Sequence, residues 1–146
     1  MRLRTMGVVA TIGLLALSGV GSGTAAAKRS FRLSSFKGSY AGIFSGKTNT
    51  GAEVLGTGVF VSDGEGNLSG HETFTIVTSV CEATIKGTYT VNPDGTGTNS
   101  IDFTATTPGC TSGSYTQSLV IGGFGDLVLL SNTNGDQINE QWHLQK

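Results

Sequence analysis

The stretch CEATIKGTYTVNPDGTGTNSIDFTAT, residues 81–106, alternates in character on both sides of a Pro-Asp-Gly turn. Before the turn, small or apolar residues occupy every second position from Ala83 to Val91, with Lys and Thr between them and Glu82 just before them. After the turn, residues 101–105 alternate in the same way. A period of two is typical of a strand with one buried and one solvated face. Two such strands joined by a short turn predict an antiparallel hairpin.

Turn signals of the same kind recur along residues 38–146. Clusters rich in Gly and Asn follow one another about 11 to 16 residues apart, which leaves room for one strand and one turn in each interval. Seven such turns separate eight strands, and short connections favour a meander. We therefore expect an all-β fold, an eight-stranded antiparallel up-and-down barrel. The predicted strands are Ser39–Gly46, Glu53–Ser62, Asn67–Val77, Cys81–Asn92, Thr98–Thr106, Ser114–Ile121, Asp126–Ser131 and Gln137–Leu144.

The first 27 residues have the features of a secretory signal peptide. Arg2 and Arg4 precede an apolar run over residues 8–20, and three alanines at 25–27 supply a cleavage site. The apolar run is too short for a membrane span, which needs roughly 20 residues. We therefore expect a secreted or periplasmic protein without a membrane span.

The remaining chain divides into a basic segment, residues 28–37, and a barrel domain, residues 38–146. The basic segment is expected to be either a mobile lead-in or a cover for one end of the barrel. Beyond it, ten acidic residues outnumber the basic ones, which are Lys47, Lys86 and Lys146. Because an acidic surface repels phosphate backbones, nucleic acid is excluded as a partner. No sequence feature indicates an oligomeric state.

Cys81 and Cys110 predict one disulfide, since paired cysteines are common in exported chains. A hairpin reflected about the centre of the 94–97 turn places the two cysteines opposite each other. Matching the apolar faces instead pairs Val91 with Ile101, and this register differs by one residue from the register that places the cysteines opposite each other. A bulge would absorb the difference.

Three segments of strand and turn residues carry a family resemblance: Gly38–Ala41, Phe60–Gly70 with its Asp-Gly-x-Gly turn, and Gly87–Gly97. The chain resembles exported bacterial proteins of uncharacterised function over most of its barrel domain. Its inferred architecture is similar to the calycin and allene-oxide-cyclase-like barrels, and in that sense is lipocalin-like. This second likeness is architectural, and no motif allows a catalytic residue to be carried over.

Three polar residues fall on strand faces that the alternation predicts to be buried: Glu72, Gln117 and Glu140. Burial raises the pKa of an unpaired carboxyl, which suits general acid or base work, so Glu72 and Glu140 are the candidate catalytic residues. A bulge would turn either carboxyl outward, and inward polar groups also form purely structural networks. The aromatic residues predicted to line the lumen with them are Tyr40, Phe44, Phe74, Tyr89, Tyr115 and Trp142.

Glycines on the same faces of the first four strands have two interpretations: they leave room for a cavity, or they allow the sheet to coil and close. Neither a metal nor another cofactor is expected. Residues 63–67 resemble the start of a calcium loop, but Leu68 stands where that loop needs Gly and Phe74 where it needs Glu. Neither His71 nor His143 has the spacing of a zinc motif.

These observations favour a barrel that binds a small, mostly apolar molecule in its lumen. The first alternative is an extracellular surface or interaction protein with a solid core, whose Thr-rich outer faces and loops make the contacts. The second alternative is a cofactor-free cyclase or isomerase of the allene-oxide-cyclase type, in which a Glu moves a proton. A lumen filled by its own side chains would argue against both pocket functions.

Overall fold

The computed structural model describes residues 30–132 and 135–146, and the predicted signal peptide lies outside these residues. They form a closed barrel of eight antiparallel strands in the order β1 to β8, with β8 paired back to β1. The predicted fold class is therefore confirmed. The strands are β1 Lys37–Lys47, β2 Glu53–Asp63, β3 Asn67–Ile76, β4 Ser79–Val91, β5 Thr96–Ala105, β6 Gly113–Gly122, β7 Leu127–Asn132 and β8 Gln137–Leu144.

Both registers predicted for the β4–β5 hairpin are wrong. Val91 pairs with Gly97, so the hairpin folds about Asp94. The cause is a tight turn in which the Gly95 amide donates to the Asn92 carbonyl at 2.9 Å. The Asp94 carboxylate secures the turn by accepting from the backbone amide and the hydroxyl of Thr96. Side-chain hydrogen bonds of this kind place the bend earlier than the run of glycines indicates.

The predicted disulfide is confirmed: Cys81 and Cys110 are bridged, with a Cα–Cα distance of 5.9 Å. In the β4–β5 register, Cys81 lies beyond the last pair, Ala83 with Ala105. The bridge is made by the connection that follows β5, which curls back over the start of β4. Three hydrogen bonds hold that connection, among them one of 2.7 Å from the Thr106 amide to the Glu82 carbonyl.

One half of the barrel interior is solidly packed. Its centre is a cluster of rings in which Phe60 stacks on Trp142 with ring centroids 4.0 Å apart. The remaining buried members of this packed half are Phe36, Tyr40, Leu68, Ile85, Tyr89, Ile101, Leu119, Ile121, Val128 and Leu130. This half meets the requirement of the solid-core alternative, and the other half does not.

Residues 30–36 cover the end of the packed half. A short 3-10 turn, Leu33–Ser35, brings the Phe36 ring into the barrel, where it is fully buried against Tyr40 and Tyr89. The Phe36 carbonyl accepts hydrogen bonds from the hydroxyls of Ser62 and Tyr89. The described part of the basic segment therefore lies over this end and closes it.

Gly42 and Gly56, on the inner face, leave room for aromatic rings to pack against the strands. A side chain at Gly42 would collide with Trp142 and Phe60, and one at Gly56 would collide with the ring of Phe44. Gly42 pairs with Trp142 and Gly56 with Phe44 on neighbouring strands, so each large ring lies across a position that has no side chain. Rings that cover strand glycines in this way help a small barrel to close.

Candidate functional site

A cavity of about 120 Å³ occupies the half of the barrel that the aromatic cluster leaves open. It lies at the end formed by the β1–β2, β3–β4, β5–β6 and β7–β8 connections, opposite the end that Phe36 closes. Because side chains alternate across each strand, only a few residues of any strand reach it: β3 supplies three, β8 two, and β1, β2, β5, β6 and β7 one each. Its lining residues are Phe44, Thr48, Val54, Glu72, Phe74, Ile76, Phe103, Tyr115, Asn132, Asp136, Ile138 and Glu140.

Four aromatic rings form a continuous arc along the cavity wall. Phe44 and Phe74 lie 6.4 Å apart, Phe74 and Phe103 lie 6.3 Å apart, and Phe103 and Tyr115 lie 6.0 Å apart, all between ring centroids. They come from β1, β3, β5 and β6, so strands from around the barrel supply the arc. Aromatic pairs at these distances attract one another and give the wall a fixed shape.

Glu140 is buried beneath these rings and is held from both sides. Its Oε1 accepts a hydrogen bond of 2.6 Å from Nε2 of Gln117, and its Oε2 accepts one of 2.9 Å from Nε1 of Trp142. Burial raises the pKa of Glu140 to about 7, against the opposing effect of these two hydrogen bonds. Glu140 is therefore fixed in position and titrates near neutral pH.

Glu72 lines the cavity without such support. It is only 5% exposed, and its carboxyl has no hydrogen-bond partner among the described residues. Its cross-strand neighbours are Gly58, which is covered by the ring of Phe60, and Ala83. Burial, and then the charge of Glu140, raise the pKa of Glu72 to about 8. At neutral pH this carboxyl is mostly protonated and has a hydrogen to donate.

Tyr115 completes the group of titratable side chains around the two glutamates. Burial, followed by the charges of Glu140 and Glu72, raises the pKa of the Tyr115 hydroxyl well above its usual value. The phenol therefore stays neutral while the carboxyls titrate. Near pH 7 the two carboxyls share a charge between zero and minus one, and they titrate as a coupled pair.

A belt of amides separates the cavity from the packed half. Nε2 of Gln117 donates to Oδ1 of Asn132 at 2.9 Å as well as to Glu140. Oε1 of Gln117 and both polar side-chain atoms of Asn99 are buried without a partner among the described residues. Asn99 pairs with Gln117 across β5 and β6, so these atoms are neighbours on the inner face.

The structure divides the predicted ligand-binding residues into three groups. Five of them line the cavity, namely Phe44, Glu72, Phe74, Tyr115 and Glu140. Gln117 lies below it and orients Glu140. Tyr40, Tyr89 and Trp142 lie in the packed half, where the Tyr40 hydroxyl donates to the Gly125 carbonyl at 2.9 Å. No inner-face glycine is among the described lining residues of the cavity: rings cover Gly42, Gly56 and Gly58, and neighbouring backbone lies over Gly70 and Gly87.

Other lining residues were not predicted from the sequence. Phe103 lies on the face that alternation assigns to the interior, but alternation does not tell how high along the barrel a residue lies. Thr48 and Asp136 belong to connections, and the Asn49 amide donates to Asp136 Oδ1 at 2.7 Å across the mouth. The height of each residue depends on the stagger of the strands, which the sequence pattern leaves open.

Within residues 30–132 and 135–146, no group of three or more His, Cys, Asp or Glu side chains is placed to hold a metal ion. No helix in the same residues is long and apolar enough to cross a membrane. Comparison of the chain with protein-family models, curated proteins and solved structures finds no match. The cavity and its lining residues are therefore the basis for assigning a function.

Proposed function

We propose that this protein is an exported, calycin-like barrel that binds a small, mostly apolar molecule in the cavity. The observation that carries the proposal is the ring-walled space of about 120 Å³ beside two buried carboxyls. A dry protein cavity of about 150 Å³ is enough to hold benzene. The ring-walled space is somewhat smaller, so one six-membered ring is the upper limit for the part of the ligand that it encloses, and any substituent extends through the mouth.

The polar groups give the ligand its orientation. The Glu72 carboxyl is flanked by small residues and has no protein partner among the described residues, so a polar atom of the ligand is its natural partner. Glu140 is already engaged by Gln117 and Trp142, which holds its carboxyl rigidly. A few convergent polar groups in an apolar wall are typical of small-molecule sites.

Toluene is a suitable first probe, and its binding is measured by NMR shifts of methyl and aromatic signals. We expect shifts confined to the lining residues, and binding at least tenfold weaker in Val54→Phe, which fills the cavity. Val61→Phe is the matched control, because Val61 lies on the outer face of the same strand and is 46% exposed. Absence of toluene binding to the wild-type protein, or equal binding to both variants, would contradict the proposal.

Proton transfer is the second candidate function, favoured by two buried carboxyls whose pKa values lie at about 7 and about 8. Such groups exchange protons with a bound substrate at neutral pH. The reaction class is a cofactor-free isomerisation, in which one carboxyl removes a proton and returns it elsewhere on the same molecule. If the wild-type protein isomerises a substrate, an unchanged rate in both Glu72→Gln and Glu140→Gln would eliminate this candidate.

A further inference from the structure

We propose that the ligand of this cavity is a small organic cation, a protonated amine on a ring-sized apolar body. This inference rests on the proposed function, since it names the chemical class of the molecule that the cavity binds. Three features of the described lining carry it: the sign of its charged groups, the arc of aromatic faces, and a buried carboxyl that has no protein partner.

The charged side chains of the described lining are all carboxylates. Glu72 and Glu140 lie within the cavity and Asp136 lies at its mouth, while no Lys, Arg or His is among the described lining residues. An anionic ligand would meet only like charges there. A cationic ligand would meet carboxylates both inside the cavity and at its mouth. Opposite charges separated by a few ångströms attract each other strongly where water is excluded.

The aromatic arc offers a second attraction for a cation. Phe44, Phe74, Phe103 and Tyr115 surround the same space as the carboxyls. The face of an aromatic ring is electrically negative, so a cation within about 6 Å of the ring centre is attracted to it, and the attraction is stronger when water is excluded. An apolar body and a positive head are therefore both accommodated by the same wall.

Glu72 supplies the hydrogen-bonding position. Its side chain is only 5% exposed, and it lines the cavity together with the rings of Phe44 and Phe74, so a ligand in this space reaches it. An ammonium group has three N–H donors, which suit a carboxylate with free lone pairs. Without a cation, the carboxyl is protonated; with one, it ionises and forms a buried ion pair. Binding therefore releases a proton.

The released proton fixes the direction of the pH dependence. The titratable groups that face Glu72 are Glu140 from β8, Tyr115 from β6 and Asp136 at the mouth, whereas β1, β2, β4 and β5 present uncharged residues. A cation favours the ionised carboxyls, so its affinity rises with pH. For Glu72, with a pKa of about 8, affinity increases by roughly a hundredfold or more from pH 5.5 to pH 8.

The test compares benzylamine with toluene, its neutral analogue, by calorimetry on the oxidised protein at pH 5.5 and pH 8. We expect benzylamine to bind more tightly than toluene at pH 8 and to lose that advantage at pH 5.5. If toluene binds as tightly as benzylamine at both pH values, the cation inference fails and the proposed cavity function stands. If neither probe binds, both proposals fail.

Glu72→Gln provides the matched variant, because it removes the charge without removing a protein hydrogen bond. We expect it to reduce the preference for benzylamine over toluene at pH 8 at least tenfold. Glu82→Gln makes the same change of charge on the exposed face of β4 and serves as the control. Equal weakening in both variants would assign the effect to overall charge and overturn the inference. The wild-type pH dependence tests the same point without any substitution.

Discussion

Glu72 and Glu140 share a cavity but differ in what holds them. Glu140 accepts two hydrogen bonds, which stabilise its ionised form, whereas Glu72 has no hydrogen-bond partner in the described part of the chain. Glu140 consequently ionises first as pH rises, and its charge then opposes the ionisation of Glu72. At neutral pH, Glu140 is therefore the better hydrogen-bond acceptor and the protonated Glu72 can donate. The difference arises from their surroundings, since both side chains are glutamates.

The first prediction concerns stability between pH 5 and pH 8. Both carboxyls have native pKa values above the usual 4.5, so the native state binds more protons than the unfolded state in this window. The free energy of unfolding therefore falls as pH rises, by about 1.4 kcal/mol per pH unit for each carboxyl until its native pKa is passed. Urea denaturation at pH 5, 6, 7 and 8 measures this slope.

Glu72→Gln should make that slope shallower and raise the unfolding free energy at pH 8, because it removes a charge that is costly to bury. Glu82→Gln, on an exposed position, should keep the wild-type slope. Asp63 does not interfere, since hydrogen bonds from Asn67 lower its pKa to about 2 and its titration lies outside the window. A free energy of unfolding that is constant or rises from pH 5 to pH 8 would contradict the prediction.

Among the elements, the segment before β1 covers one end of the barrel with the buried ring of Phe36. Phe36→Ala should cost about 3–5 kcal/mol of unfolding free energy, because the ring is fully buried against Tyr40, Tyr89 and Trp142. Leu33→Ala, at a residue 36% exposed, is the control and should change little. Urea denaturation checks both, and similar losses in the two variants would argue against a packed end.

The β3–β4 connection contains the one non-glycine residue with positive φ in the described chain, Val77 at +56°. A β-branched side chain is strained there, and Val77 is 71% exposed, so little packing opposes a change. Val77→Asn should raise the unfolding free energy by about 1 kcal/mol, because Asn tolerates this conformation. Val80→Asn, at an exposed strand position, is the control and should bring no gain. Equal effects in thermal melts would exclude backbone strain as the cause.

At the level of elements, alternation and turn signals were enough to predict eight strands and their faces. Glu72 and Glu140 point inward as the alternation of their strands required. The register of the β4–β5 hairpin was not predictable in the same way, because the position of its turn depends on hydrogen bonds made by Asp94 and Asn92. Residue faces follow from a period of two, whereas registers follow from local turn chemistry.

Across the whole molecule, the barrel is divided along its axis into a packed half and a cavity. The sequence indicated which residues face inward but not which half they occupy, so Tyr40 and Trp142 were placed on the cavity wall with Phe44. Stagger between strands sets that height. The division gives the barrel a solid core at one end and a cavity at the other.

The Cys81–Cys110 bridge ties the connection after β5 to the start of β4, at the cavity end. In the chain-entropy model, a bridge between residues 29 positions apart stabilises by roughly 3–4 kcal/mol, mainly by restricting the unfolded chain. Reduction should therefore lower the unfolding free energy by that amount in urea. It should leave the fold intact, since Thr106 donates hydrogen bonds to the Glu82 carbonyl and the Glu82 amide donates to the Thr107 hydroxyl, which hold the same connection.

The double variant Cys81→Ala/Cys110→Ala is the control for this prediction, and its stability should not respond to reductant. Toluene binding by the reduced wild-type protein separates the two possible roles of the bridge. Retained binding with a lowered unfolding free energy assigns the bridge to the unfolded state, as we expect. If reduction abolished binding while the barrel stayed folded, the bridge would instead shape the cavity wall next to Phe74, which pairs with Cys81 across β3 and β4.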